Sequence, residues 1–109
     1  FKEDVPDLRN TKVVDIISEL QDYGVDVAVS DPLADPDEAR QYYAVNLQPL
    51  DQIKDVDAVI LAVMHRAYRD EGLEGIARRC ADSNAIVIDV KGCFSPAEAQ
   101  KLGATYWRL

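Results

Sequence analysis

Two short apolar runs decide what this chain can fold into. Asp57-Ala58-Val59-Ile60-Leu61-Ala62-Val63 and Ala85-Ile86-Val87-Ile88-Asp89 are continuous rather than alternating. A strand with one wet face alternates polar and apolar residues, whereas a strand covered on both faces has no reason to. Between the runs, Leu73, Ile76, Ala77 and Cys80 mark one face of a helix. Strand, helix, covered strand is the signature of a parallel βαβ unit.

The rest of the chain extends that alternation. Val13, Ile16, Ile17 and Leu20 fall at i, i+3, i+4, i+7, one apolar helix face, and Gly24 stops the helix. Val25 to Val29 reads as a short buried strand ended by Ser30-Asp31-Pro32. Asp35-Pro36-Asp37-Glu38 is a helix start: a capping Asp, Pro at the first position, Glu three after the cap. That helix runs to about Tyr43, Ala44 to Leu47 is a weak strand, and Pro49 to Lys54 a helical turn or two. Ser95-Pro96-Ala97-Glu98 is a second capping pattern, Gly103 ends its helix, and Ala104 to Leu109 is a final strand. The fold expected is α/β: a Rossmann-like open parallel sheet with helices on both faces. Such a unit opens with a strand, and this chain opens with a loop and helix, so the sheet is expected to lack its first strand. The Val25–Val29 and Asp57–Val63 strands would then flank a gap with unpaired backbone groups, which are costly when buried. Either the two strands pair directly, or another chain fills or covers the exposed edge; the second is slightly preferred, and a homo-oligomer is expected.

A chain of 109 residues has room for one domain with a core. Its net charge of -8 argues against nucleic acid or a membrane surface as partner, since phosphate binding needs clustered Lys and Arg. An acidic protein can still hold an anion with a few placed cations. No apolar run reaches the ~18 residues of a membrane span, and no leader is visible. Two cysteines in an α/β pattern suit a reduced, cytoplasmic setting. One histidine and two distant cysteines do not make a metal site. Cys80 lies on an apolar helix face and reads as core. Cys93 reads as more exposed, but no base stands beside it in sequence. No residue is assigned a catalytic role, and no Gly-x-Gly-x-x-Gly is present. Tyr42, Tyr43, Tyr106 and Trp107 read as packing residues.

In open α/β sheets, ligands sit beyond the carboxyl ends of the strands. The loops leaving those ends carry Ser30-Asp31-Pro32, Val63-Met64-His65-Arg66 and Asp89-Val90-Lys91-Gly92. The opening segment would leave the absent strand on the same crest. Lys2, Arg9, His65, Arg66 and Lys91 can thus converge, and a cation cluster on an acidic protein suits a phosphorylated ligand. Each also has a plainer reading. Arg9 can pair with Asp7 or Asp4, Lys2 can be solvated, Gly92 can serve the turn alone, and His65 can hold a loop.

Phe1-Lys2, the following Asp7-x-Arg9-x-Thr11, Tyr23-Gly24, Asp57-Ala58-Val59-Ile60 and Asp89-x-Lys91-Gly92 together resemble the C-terminal domain of the UDP-glucose/GDP-mannose dehydrogenase family. These are NAD-dependent enzymes that oxidise a sugar C6 alcohol to a carboxylate. The resemblance covers essentially the whole chain. His65 and Tyr106-Trp107-Arg108-Leu109 look more like the branch acting on UDP-N-acetylhexosamines. The resemblance implies that residues 1–109 are the UDP-sugar-binding part of a longer enzyme, partnered by its N-terminal NAD-binding and central helical parts. It implies that Phe1, Lys2 and Lys91 lie at the UDP-sugar site and that Arg9 contacts the NAD pyrophosphate. NAD itself would be bound mainly by the N-terminal domain. The family's nucleophilic Cys matches neither Cys80 nor Cys93, so the isolated segment is expected to be inactive. A free-standing nucleotide-binding or regulatory module is the alternative. A receiver-like domain ranks last, because the weak third strand offers Asn46 where that reading needs an Asp.

Overall fold

The βαβ alternation is realised in a computed structural model of the chain, which describes residues 11–81 and 84–108. The elements are α1 (Thr11–Asp22), α2 (Pro36–Tyr43), a short 3-10 turn (Leu50–Gln52), β1 (Val59–Leu61), α3 (Arg66–Ala77), β2 (Ile86–Asp89), α4 (Pro96–Leu102) and β3 (Thr105–Arg108). They fall into two compact units, Phe1–Gln52 and Ile53–Leu109.

In the first unit, α1 buries Val13 and Ile17, two of the four residues on its expected apolar face, while Ile16 and Leu20 are half-buried. The start of α2 is as expected: the Asp35 carboxylate accepts from the Asp37 amide at 2.8 Å, and Pro36 opens the helix where its missing N–H costs nothing. Ala39 and Val45 are buried. The expected strand over Val25–Val29 is not formed. Val29 makes a single parallel bridge to Leu47, and Val25 is exposed. An apolar run becomes a strand only where a neighbouring strand takes up its backbone groups, and here one bridge is all that forms. The weak strand expected at Ala44–Leu47 shrinks to the same bridge.

The second unit holds an open parallel sheet in the order β1-β2-β3. Its register aligns Val59 with Val87 and Tyr106, Ile60 with Ile88 and Trp107, and Leu61 with Asp89 and Arg108. Successive side chains alternate between faces. One face therefore carries Leu61, Val87 and Asp89, all buried, and the other carries Ile86 and Trp107, both exposed. Helices α3 and α4 touch each other and so flank the same face. This is the Rossmann-like α/β class the sequence implies. Trp107 departs from its packing role: it is 63% exposed. Tyr42, on α2, is exposed as well.

Helix α3 is broken at Gly72, whose φ of 76° and ψ of 165° lie in a region essentially reserved for glycine. After the break, Leu73 and Ile76 are buried as the spacing predicts, and Cys80 is buried just past the helix. Arg79 secures this end. Its Nε and Nη2 donate to Glu71 Oε1 at 3.0 and 2.6 Å, and its Nη1 donates to the Ile53 carbonyl at 2.9 Å. The Arg79–Glu71 pair is well sheltered, with side-chain exposures of 19% each. The backbone of Val56 bridges to Cys80 beside it, which leads the chain into β1.

Candidate functional site

The carboxyl ends of the three strands build one crest, and the turn leaving β2 is its best-defined part. Val90 extends the ladder by donating to the Leu61 carbonyl at 3.0 Å. Asp89, fully buried at the strand end, then folds the following residues around its carboxylate. Oδ1 accepts from the Gly92 amide at 2.9 Å, and Oδ2 accepts from the Cys93 and Phe94 amides at 2.8 and 3.0 Å. Oδ2 also accepts from the Tyr106 hydroxyl at 2.6 Å, which stands 3.1 Å from the Phe94 carbonyl. A carboxylate offers about four lone-pair sites, and four donors meet them here. The acid of the Asp89-x-Lys91-Gly92 motif is thus committed to the turn.

Gly92 has a φ of +65°, which L side chains rarely adopt. A methyl group placed there would also lie 2.8 Å from Arg108 Nε. Arg108 Nη2 donates to the Gly92 carbonyl at 2.9 Å. Lys91 and Cys93 stand on either side of this glycine, both exposed. Lys91 therefore occupies an exposed turn whose backbone is fixed from beneath.

His65 stands at the N-cap of α3 on the loop leaving β1, and its side chain does not cap the helix. It is 1% exposed and meets Tyr68 edge-on, with ring centroids 5.6 Å apart. Phe1, Lys2 and Arg9 lie outside the described residues, so their convergence with Lys91 is not seen. A shallow concavity of about 380 Å³ on α1 is lined by Asp15, Ser18, Glu19, Asp22 and Tyr23. Its three acids make it a poor seat for an anion. Among the described residues no group of His, Cys, Asp and Glu side chains is placed to hold a metal ion, and no helix is long and apolar enough to cross a membrane.

Sequence reading missed the roles of Asp89, Tyr106 and Arg108. Tyr106 was legible only as an aromatic in a strand, yet its hydroxyl closes the turn. Burial pushes the Tyr106 phenol up from 10.0 to about 12, and its hydrogen bond to the Asp89 carboxylate acts in the same direction. The sign follows from proton counting. Between pH 10 and 12 the unfolded chain loses this proton and the folded one keeps it, so stability falls with rising pH. The contribution is complete below pH 10 and is lost as pH climbs toward 12. Urea midpoints followed across that range should therefore drop more steeply in the unmutated chain than in Tyr106→Phe; parallel slopes would refute the bond.

The description "UDP-glucose/GDP-mannose dehydrogenase family, UDP binding domain" matches residues 1–96. The chain is 39% identical over 111 residues to Protein CapL of Staphylococcus aureus, an alignment covering 100% of this chain and 25% of that protein. It is 38% identical over 91 residues to the UDP-N-acetyl-D-glucosamine 6-dehydrogenase of Pseudomonas aeruginosa, covering 84% of this chain and 21% of that one. Against the UDP-N-acetyl-D-glucosamine 6-dehydrogenase of Salmonella typhi it is 36% identical over 100 residues, covering 90% and 23%. The chain spans about a quarter of the length of these relatives. A parallel sheet, a cation-bearing turn at its carboxyl crest and a match over 96 of 109 residues agree: the chain belongs to the UDP-glucose/GDP-mannose dehydrogenase family, as its UDP-binding domain.

Proposed function

We propose that residues 1–109 are the sugar-nucleotide-binding C-terminal domain of a longer, cytoplasmic, homo-oligomeric NAD-dependent dehydrogenase, which oxidises C6 of a UDP-N-acetylhexosamine to the carboxylate. The observation that carries this reading is the turn after β2. There a buried acid holds the backbone while Lys91 is left outside, with no partner among the described residues. A cation carried at a sheet crest on a turn whose backbone is held in this way is well placed for a phosphorylated ligand. The names of the Pseudomonas and Salmonella relatives favour an N-acetylated sugar. Phe1 and Lys2 would line the same sugar-nucleotide site, and Arg9 would reach the NAD pyrophosphate.

NAD, when bound, accepts hydride. The described residues do not fit it well. Gly92 is the glycine that follows a strand, and it stands alone rather than in a Gly-x-Gly-x-x-Gly run. This domain's part is to bind and orient the sugar nucleotide. His65, buried against Tyr68, would support the crest from below.

The test uses the full-length protein and the 109-residue chain side by side. The full-length protein should form NADH from UDP-N-acetylglucosamine and NAD, and the separate chain should form none. Lys91→Ala and Lys2→Ala should raise the KM for the UDP-sugar, and Arg9→Ala the KM for NAD. Each is expected to change roughly tenfold or more, the effect of one lost charge-assisted hydrogen bond. NADH formation by the separate chain, or no effect from any of the three substitutions, would overturn the assignment.

A further inference from the structure

We infer that Arg108 is a second cation of the sugar-nucleotide site, standing beside Lys91 to receive the anionic oxygens of the nucleotide's phosphates. This rests on the sugar-nucleotide reading above. Arg108 ends β3 and is the register partner of Asp89, which places it on the crest next to the turn. Its guanidinium lies over Gly92: a Cβ there would fall 2.8 Å from Nε, 2.9 Å from Nη2 and 3.3 Å from Cζ. The glycine therefore does more than permit a positive φ. It leaves the space in which this guanidinium rests.

What the guanidinium lacks is equally informative. Arg40, Arg78 and Arg79 each pair with a carboxylate. Arg108 makes one hydrogen bond among the described residues, to a neutral carbonyl. The nearest acid in register, Asp89, is fully buried with both oxygens already taken. A guanidinium carries five donors, so most of this one's N–H groups remain for something else. Arg69 also pairs with no carboxylate among the described residues, so what sets Arg108 apart is its seat over the turn glycine. Its neighbour Lys91 is in the same condition, exposed and without a partner among the described residues. Two such cations flanking one glycine suit a diphosphate: the planar fork can grip two oxygens and the ammonium can act as a point charge. The family match ends at residue 96, so the role assigned to Arg108 is not inherited from it.

The test titrates UDP and uridine against the full-length protein and its Arg108→Gln, Arg108→Lys and Lys91→Gln variants, with melting midpoints measured alongside. Arg108→Gln should weaken UDP about tenfold or more. Its uridine affinity and melting midpoint should stay unchanged, because uridine has no phosphate. Arg108→Lys, which keeps the charge and loses the fork, should fall between. Unchanged UDP affinity in Arg108→Gln, or an equal loss for uridine, overturns the inference. If Lys91→Gln weakens UDP while Arg108→Gln does not, Arg108 alone is rejected. Failure of the unmutated protein to bind UDP rejects the sugar-nucleotide reading and this inference together.

Discussion

Asp89→Ala is expected to cost about 4 kcal/mol of stability, because the substitution strips the acceptor from four donors at once. A hydrogen bond to a charged group contributes roughly 1.5–3 kcal/mol, and the sum is discounted here because a freed turn can open to water. Against a typical total of about 5–15 kcal/mol, such a loss leaves the second unit barely folded. Asp89→Asn is the sharper variant. It keeps the size but offers one oxygen, and its amide nitrogen must face N–H or O–H donors that the carboxylate now accepts. It should therefore lose most of what Ala loses, whereas Tyr106→Phe, which removes a single donor, should lose only about 1–2 kcal/mol. Urea denaturation ranks the three. A loss below about 1 kcal/mol for Asp89→Ala would mean that the carboxylate does not hold the turn.

Leu73→Ala should cost about 3 kcal/mol, within the range of roughly 2–5 kcal/mol measured when a buried leucine is truncated. Leu73 is 0% exposed and is the first residue after the break in α3. How much such a site can relax decides where in that range a mutant falls. Relaxation is restricted here, since Gly72 pins the backbone on one side and the Arg79–Glu71 pair ties the segment on the other. Calorimetry of the two chains measures the difference. A melting midpoint within a degree or two of the unmutated one would show that the cavity closes.

The parts of the fold legible in the sequence are those set by local chemistry. Asp35-Pro36 and Ser95-Pro96 announced α2 and α4, and both side chains accept the expected amide bonds. The continuous runs marked β1 and β2, whose formed strands are shorter, Val59–Leu61 and Ile86–Asp89. What was not legible depends on partners distant in the chain. Val25–Val29 has strand composition, but no composition states whether a neighbour stands beside it. Asp89 was legible only as the end of an apolar run and the start of a motif, and its contacts, among them Tyr106 17 residues on, show where its oxygens are used. Nothing local distinguished Trp107, which is exposed, from Tyr106, whose hydroxyl is bonded; register alone put them on opposite faces. The site was thus visible as a list of cations, while the buried acid that holds the turn beside one of them was not.

The break at Gly72 also bears on the order in which the second unit folds. It divides α3 into two short pieces, and helices shorter than about 12–15 residues are marginal in water even when unbroken. Neither piece can persist before its apolar residues are buried, so α3 is unsuited to act as a seed. The early event must then be a tertiary encounter, in which Leu73 and Ile76 become buried and the helix condenses around them. The one residue that interrupts the helix makes it a product of folding rather than its starting point.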